Sequence, residues 1–287
     1  SLIVLGAGPV ALELAYYHRA LGADVTVLQR SKQVLSSLDR DAADAVQHGM
    51  ERQGTKFVLG CKILGADKSS RGKWVRVAHD EREETIEADE ILLALGRDPA
   101  TSQLDLPAAG LDIAPGRPLA TSDTQQTLVP HIFGAGDVTG KLEIVHIAIE
   151  QGEIAARNAA RLLRGKNEPL ETIDYRLRLF AVFTEPEAAM VGLSEREATE
   201  LGIDFAAATY PFNDHGKSIV RGKTDGFVKL LADRKTGELL GGAVVGPHAS
   251  ELIHEVVIAL RYRATAAELS KIPHYHPTLS EIWTYPA

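Results

Sequence analysis

The sequence predicts an α/β chain that passes into α+β structure, on three observations. An apolar strand runs straight into a glycine-rich turn and a helix at the start; a second glycine motif precedes a long helical stretch in the middle; two strands and an amphipathic helix follow toward the end. The 287 residues are long enough for two domains, and 45% hydrophobic with 24% charged residues is ordinary globular composition. A formal net charge of -8 argues against nucleic acid or an anionic membrane as partner, because phosphate contacts need a basic surface. No apolar run approaches the roughly 18 residues of a membrane span. The single cysteine, Cys61, excludes an internal disulfide framework and favours a reducing cytoplasm.

"SLIVLGAGPVALELAYYHRALGADVTVLQRS" reads as strand, turn, helix, strand. Leu2 to Leu5 form a short apolar run, as expected of a parallel strand buried on both faces. Gly6 and Gly8 give a tight turn that lets the backbone approach a pyrophosphate, and a helix from Pro9 to Leu21 would direct its first amides at that anion. Ala11 takes the third place of G-x-G-x-x-G, where only a small residue is needed. Gly22 closes the helix before a second strand, Val25 to Leu28. The order strand, turn, helix, strand identifies a Rossmann-like dinucleotide site, with Gly6, Gly8, Val10 and Glu13 as cofactor-binding candidates.

The end of the second strand discriminates between the two nicotinamide cofactors. A carboxylate there would accept hydrogen bonds from a ribose and repel a 2′-phosphate. This chain has Gln29, Arg30, Ser31 and Lys32 instead, which favours NADP over NAD, with Gln29 and Arg30 as further cofactor-binding candidates.

From Phe57 to Leu93 the pattern becomes short alternating strands, "KFVLG", "KWVRVAH" and "ETIEADEILLALG". Cys61 has no neighbouring cysteine and no histidine at metal-ligand spacing, so it reads as a small structural side chain, and no metal site is expected. "TLVPHIFGAGDVTG" then combines a strand-like "HIF" with "GAGD", ahead of a helical stretch from Leu142 to Leu163. In "FVKLLADRKTGELLGGAVVG" two strands flank a turn at Lys235 to Glu238. The following "HASELIHEVVIALRYR" places Leu252, Val256, Ala259 and Leu260 on one helical face.

Near the carboxyl end, "HYHPTLSE" holds a histidine and an acid five residues apart, His276 and Glu281. Attack on a disulfide requires a thiolate, and a nearby base speeds it. Histidine has the pKa for that task, and a carboxylate on its other ring nitrogen fixes the tautomer. His276 is therefore the candidate general acid/base and Glu281 its orienter, provided that the Pro277 turn leads into a helix. His274 carries no assigned role.

Taken in order, these motifs resemble the pyridine nucleotide–disulfide oxidoreductases of class I, flavoproteins that include dihydrolipoyl dehydrogenase, glutathione reductase and mercuric reductase. "LLALGRDPAT", with Gly96 as a cofactor-binding candidate, is similar to the segment leaving the family's nicotinamide domain. "FTEPEAAMVGLSE" is similar to the entry to its interface domain, and "HYHPTLSE" to its carboxyl-terminal catalytic motif. The resemblance implies an NAD(P)-binding domain over residues 1 to 97, a returning segment of a FAD-binding domain over 98 to 168, and an α+β interface or dimerisation domain over 169 to 287. It implies FAD as a second cofactor, with Gly136 and Asp137 at the ribityl chain, and a homodimer in which the histidine serves the partner's disulfide. It also implies an amino-terminal FAD segment upstream of Ser1, carrying the first glycine fingerprint and the redox C-x-x-x-x-C.

Within that family the reading is an NAD(P)H-linked disulfide oxidoreductase most like dihydrolipoyl dehydrogenase, acting on a small-molecule or protein-bound dithiol, with this chain alone expected to be inactive. Two departures bear on it. Pro9 replaces a tyrosine common in the family, and "PVALELA" is closer to mercuric reductases, which generally lack "HPTLSE". An NADPH-dependent mercuric or glutathione-type reductase is the alternative within the family. The alternative outside it is a non-catalytic nucleotide-binding dimerisation module, consistent with a chain that has one cysteine.

Overall fold

The computed structural model describes residues 1–70, 72–79, 82–165 and 168–287. By its contacts the chain divides into two compact units, one of residues 1–96 and 179–287, the other of residues 97–178.

In the first unit β1 (Leu2–Leu5) runs into α1 (Pro9–Ala20), followed by β2 (Val25–Gln29), α2 (Arg40–Arg52) and β3 (Lys56–Leu59). Three further strands, β4 (Lys62–Ser69), β5 (Gly72–His79) and β6 (Arg82–Ala88), form an antiparallel sheet, and β7 (Glu90–Leu93) returns to the first one. That first sheet has the order β3-β2-β1-β7 and is parallel throughout, with Leu2 opposite Val25 on one side and Glu90 on the other. All four residues of β1 are buried, as its unbroken apolar run requires of a strand covered on both faces. The stretch expected as one strand, "ETIEADEILLALG", is split at Asp89: its first half alternates and joins the antiparallel sheet, its second half is apolar and joins the parallel one. The strand β4 had no periodic apolar signal, because most of its residues face solvent.

The second unit has one long helix, α3 (Val145–Leu163), preceded by a 3-10 turn at Gly136–Thr139. Two expectations are corrected here. "HIF" is not a strand; only an isolated antiparallel bridge joins Phe133 to Gln126. The helix begins at Val145 rather than Leu142, because Gly140 at φ +66 turns the chain out of the 3-10 geometry and Ile144 remains extended.

The carboxyl-terminal part of the first unit begins with β8 (Leu179–Val182) and β9 (Glu187–Gly192). It continues through α4 (Glu195–Glu200), β10 (Phe205–Pro211), α5 (Gly216–Arg221), β11 (Phe227–Asp233), β12 (Leu239–Gly246), α6 (Ala249–Arg261) and α7 (Ala266–Leu269). Its strands form one antiparallel sheet in the order β10-β11-β12-β9-β8. The expected apolar stripe of α6 is buried at Leu252, Val256, Ala259 and Leu260 and packs on β9 and β12. Val182, Ala188 and Val245 from this sheet share one core with α1, α2, β1 and β2. The helix α2 fits closely there: a Cβ on Gly49 would lie 2.1 Å from a Pro186 ring carbon. The result is a mixed α/β chain with a parallel Rossmann-like sheet and an antiparallel carboxyl-terminal sheet.

Candidate functional site

The glycine turn after β1 has the geometry of a cradle. Gly6 takes φ +107, and a Cβ there would lie 2.3 Å from the Ala94 carbonyl oxygen at the end of β7, so only glycine fits. Gly8 differs: a Cβ on it would meet nothing within 4 Å, and the same holds for Gly96. The helix α1 starts immediately after Gly8 with no side-chain cap and no acid in its first turn. Its first amides, which lack intrahelical partners, are left for an anion. Val10 is exposed beside them, while Ala11 packs into the core. Glu13 is differently engaged, with one carboxylate oxygen accepting from the Phe183 amide at 3.0 Å.

At the end of β2 the Gln29 side-chain oxygen accepts from the Arg30 amide at 3.1 Å. Arg30 and Lys32 are exposed, and among the described residues neither forms an ion pair. Cys61, close by, is buried, and its thiol donates to the carbonyls of Val58 at 3.3 Å and Gln29 at 3.5 Å. Burial pushes that thiol above its ordinary pKa, which makes it a poor nucleophile.

In the second unit Gly136 takes φ +76, and its amide donates to the fully buried Gln151 side chain at 2.7 Å. Gln151 in turn donates to the Tyr175 hydroxyl at 2.9 Å. This chain of bonds fixes the turn beneath Asp137. The Asp137 carboxylate is about half exposed and receives the Arg97 guanidinium at 2.9 Å, which also holds Glu143 at 2.7 Å. Only Oδ2 of Asp137 is used; among the described residues Oδ1 has no partner and can accept a hydrogen bond.

At the carboxyl end the chain turns at a cis peptide between His276 and Pro277 and enters a 3-10 helix, Ser280–Thr284. The turn brings His276 Nδ1 to 2.9 Å from Glu281 Oε2. The imidazole is 78% exposed while the carboxylate side chain is only 11% exposed. Among the described residues His276 Nε2 has no partner. A second histidine lies behind the carboxylate: His215 Nε2 is 3.5 Å from Glu281 Oε1, and His215 Nδ1 is 2.8 Å from the Ser218 hydroxyl. Burial pulls the His215 pKa below its ordinary value, against the opposing pull of Glu281. His274 is spent on Glu255 and on the Ile272 carbonyl.

A further cluster joins the two sequence-distant parts of the first unit. Lys229 on β11 is fully buried and its ammonium lies 2.6 Å from Asp41, 2.5 Å from Glu195 and 3.6 Å from Asp39. Burial lowers the lysine pKa and the Asp41 and Glu195 carboxylates raise it, with the carboxylates prevailing. Asp39 also accepts the amides of Glu195 and Arg196 at the start of α4. The three acids have the spacing of a cation site, and the ammonium is the cation among them.

Arg97 lies inside "LLALGRDPAT" but carried no role there, and Gln151, His215 and Lys229 were not marked by any motif. Gln151 and Lys229 lie inside apolar-patterned segments, where a long polar side chain is the one signal available. His215 lies 61 positions before His276 in the chain, a distance over which spacing carries no information.

The chain matches two sequence profiles of known families. Residues 1–152 match "Pyridine nucleotide-disulphide oxidoreductase" and residues 180–287 match "Pyridine nucleotide-disulphide oxidoreductase, dimerisation domain". It is 34% identical to dihydrolipoyl dehydrogenase of Mycobacterium leprae over 98% of this chain and 59% of that protein. Dihydrolipoyl dehydrogenase of Halobacterium salinarum is 36% identical, over 98% of this chain and 58% of that one. Among solved structures, LpdA from Mycobacterium tuberculosis superposes with a TM-score of 0.86 at 31% identity, covering 99% of this chain and 60% of that one. The HOCl-induced flavoprotein disulfide reductase RclA from Escherichia coli gives 0.83 at 26% identity, covering 99% and 63%. The chain thus spans about three fifths of the length of the relatives that it matches. It belongs to the pyridine nucleotide-disulphide oxidoreductase family.

Proposed function

We propose that this chain carries the nicotinamide-binding and subunit-pairing parts of a FAD-dependent NAD(P)H:disulfide oxidoreductase, most like dihydrolipoyl dehydrogenase. The observation that carries this reading is the His276–Glu281 pair. An exposed imidazole with a free Nε2 is held from behind, at 2.9 Å, by a nearly buried carboxylate. The carboxylate keeps a proton on Nδ1 and stabilises the imidazolium, so Nε2 can take a proton from a thiol and return it. Reduction of a disulfide consumes two electrons and two protons, and His276 is assigned to the proton traffic at one sulfur. Bound FAD would supply the electron transfer between nicotinamide and disulfide. Asp137, with Oδ1 free, would accept from a hydroxyl of the flavin side chain, on the turn formed by Gly136. Gly6, Gly8, Val10 and the first amides of α1 would take the dinucleotide pyrophosphate, with Gly96 leaving room beside it, Glu13 steadying the helix from Phe183 and Gln29 at the ribose. Arg30 would take a 2′-phosphate, so NADPH is the favoured nucleotide.

The three-part division into residues 1–97, 98–168 and 169–287 is part of this proposal, as is a homodimer, which the dimerisation-domain match over residues 180–287 supports. The one cysteine is buried, and the sulfur pair is assigned to the part of the full-length protein that this chain does not span. Steady-state assays of the full-length protein with lipoamide, glutathione disulfide and mercuric ion, each with NADH and NADPH, test the reading. Preferential turnover of lipoamide supports it, preference for either other substrate moves the protein to another branch of the family, and turnover of none overturns it. The burial of Cys61 favours one competing reading, a nucleotide-binding dimerisation module without catalysis; a C-x-x-x-x-C pair in the full-length sequence ends it.

A further inference from the structure

We propose that His215 is a positioning residue for the His276–Glu281 pair, holding the Glu281 carboxylate between two imidazoles through a neutral, Nε2-protonated ring. The inference deepens the role proposed for His276 and rests on it. Glu281 uses its two oxygens on two histidines: Oε2 lies 2.9 Å from His276 Nδ1 and Oε1 lies 3.5 Å from His215 Nε2. The second distance is longer than a formed hydrogen bond, and Nε2 is a buried atom without any other partner.

The tautomer follows from the partners. A serine hydroxyl can donate or accept, whereas an ionised carboxylate can only accept. With the proton on Nε2, the ring presents the positive end of an N–H to Glu281 and accepts the Ser218 hydroxyl on Nδ1 at 2.8 Å. With the proton on Nδ1, a nitrogen lone pair would face a carboxylate oxygen in a buried place, which is repulsive. Aromatic rings surround the imidazole: Phe212 and Tyr285 meet it edge-on, each with centroids 6.3 Å away. Tyr210 stacks on Tyr285 and gives its hydroxyl to Asp214. Glu281 and His276 are the charged or titratable groups whose fields reach His215. A neutral ring in that setting orients the carboxylate without competing for its charge, which stays available to the imidazolium of His276.

Nitrogen-15 NMR of the ten histidines in this chain tests the proposal without any turnover. His215 is expected to be neutral, with its proton on Nε2, from about pH 7 upward, above the ordinary histidine value. A proton on Nδ1, or two protons on the ring, overturns the proposal. This measurement needs no variant and stands even where a substitution disrupts folding. His215→Gln keeps an N–H for Glu281 and His215→Leu removes it. The leucine variant should shift the nitrogen-15 resonance of His276 Nδ1, because the carboxylate loses the group that orients it toward that nitrogen. The glutamine variant should reverse most of that shift. Equal shifts in the two variants, or none in either, overturn the proposal. If instead His276→Ala leaves disulfide turnover of the full-length protein intact, the proposed role of His276 fails while the tautomer and resonance-shift results stand.

Discussion

The ammonium of Lys229 lies 2.6 Å from the Asp41 carboxylate, so a lysine of the carboxyl-terminal sheet neutralises an acid at the start of α2. This pair, with Glu195 and Asp39 around the same nitrogen, ties α2, which packs on the parallel sheet, to the carboxyl-terminal sheet, beside a shared apolar core.

Lys229→Met should therefore destabilise the chain although it adds apolar surface. Three carboxylates would lose their common cation, and Lys229 is the fully buried member of the group. Breaking a buried pair costs ~3–5 kcal/mol, and partial solvent access of Asp41 and Glu195 reduces this to about 2 kcal/mol. Urea unfolding measures it; a midpoint equal to that of the unchanged chain would mean that the apolar core alone holds the two sheets together.

Substitution of His276 should separate the two halves of the proposed catalytic cycle. In the full-length enzyme, His276→Ala should slow reaction with the disulfide substrate by roughly 100- to 10,000-fold, the usual worth of a general acid/base. Flavin reduction by NAD(P)H should stay nearly unchanged, because the proposed role of the side chain concerns a sulfur proton. Glu281→Gln should give a milder form of the same pattern, since it removes the charge behind Nδ1 but keeps an acceptor. Stopped-flow measurement of each half-reaction decides this, and equal losses in both would indicate a structural role.

Acid should destabilise the chain partly through His215. Burial depresses its folded-state pKa, so the unfolded chain binds the proton more readily than the folded one. Stability from this group is therefore complete above the unfolded value of about 6.5 and declines as pH falls from there toward the folded pKa. His215→Gln removes the titration and should flatten the dependence of the thermal midpoint on pH below about 6.5. The same slope in both proteins would assign the acid sensitivity elsewhere.

How much of this was legible in the sequence depends on the range of the interaction. The turn at Gly6, the burial of β1 and the stripe on α6 follow from local periodicity and from backbone angles that one residue type permits, so they were readable in order. The His276–Glu281 contact spans five positions and was readable too. The strand β4 was missed because its side chains are mostly exposed, and the split at Asp89 was missed because only that one residue separates the alternating strand β6 from the apolar strand β7. The environment of Glu281 was only half readable: its second imidazole comes from the start of α5, and nothing in "NDHGKS" marks a residue that faces the carboxyl terminus. The Lys229 cluster is of the same kind, a long-range charge arrangement whose acidic members look like ordinary surface residues one at a time, while Lys229 stands out only as a lone cation in the apolar "FVKLLA".

The nucleotide preference can be tested on this chain, because the cradle, β2 and its cationic end all lie within residues 1–96. Arg30 and Lys32 are exposed, and neither is drawn into an ion pair among the described residues. Their charge is therefore available to a ligand, and Gln29 offers no carboxylate to repel a phosphate. NADPH should bind more tightly than NADH, with a preference that weakens as salt rises, since exposed charges are screened within about 8 to 10 Å at moderate ionic strength. Arg30→Ala should weaken NADPH binding by roughly ten- to a hundredfold, the equivalent of a charge-assisted hydrogen bond of about 1.5 to 3 kcal/mol, and barely change NADH. Gln29→Glu should act in the same direction by restoring a ribose acceptor and repelling the phosphate. Titration calorimetry with both nucleotides decides the matter: equal affinities, or an NADH preference indifferent to Arg30, would make the arginine a solvated strand end and NAD the cofactor.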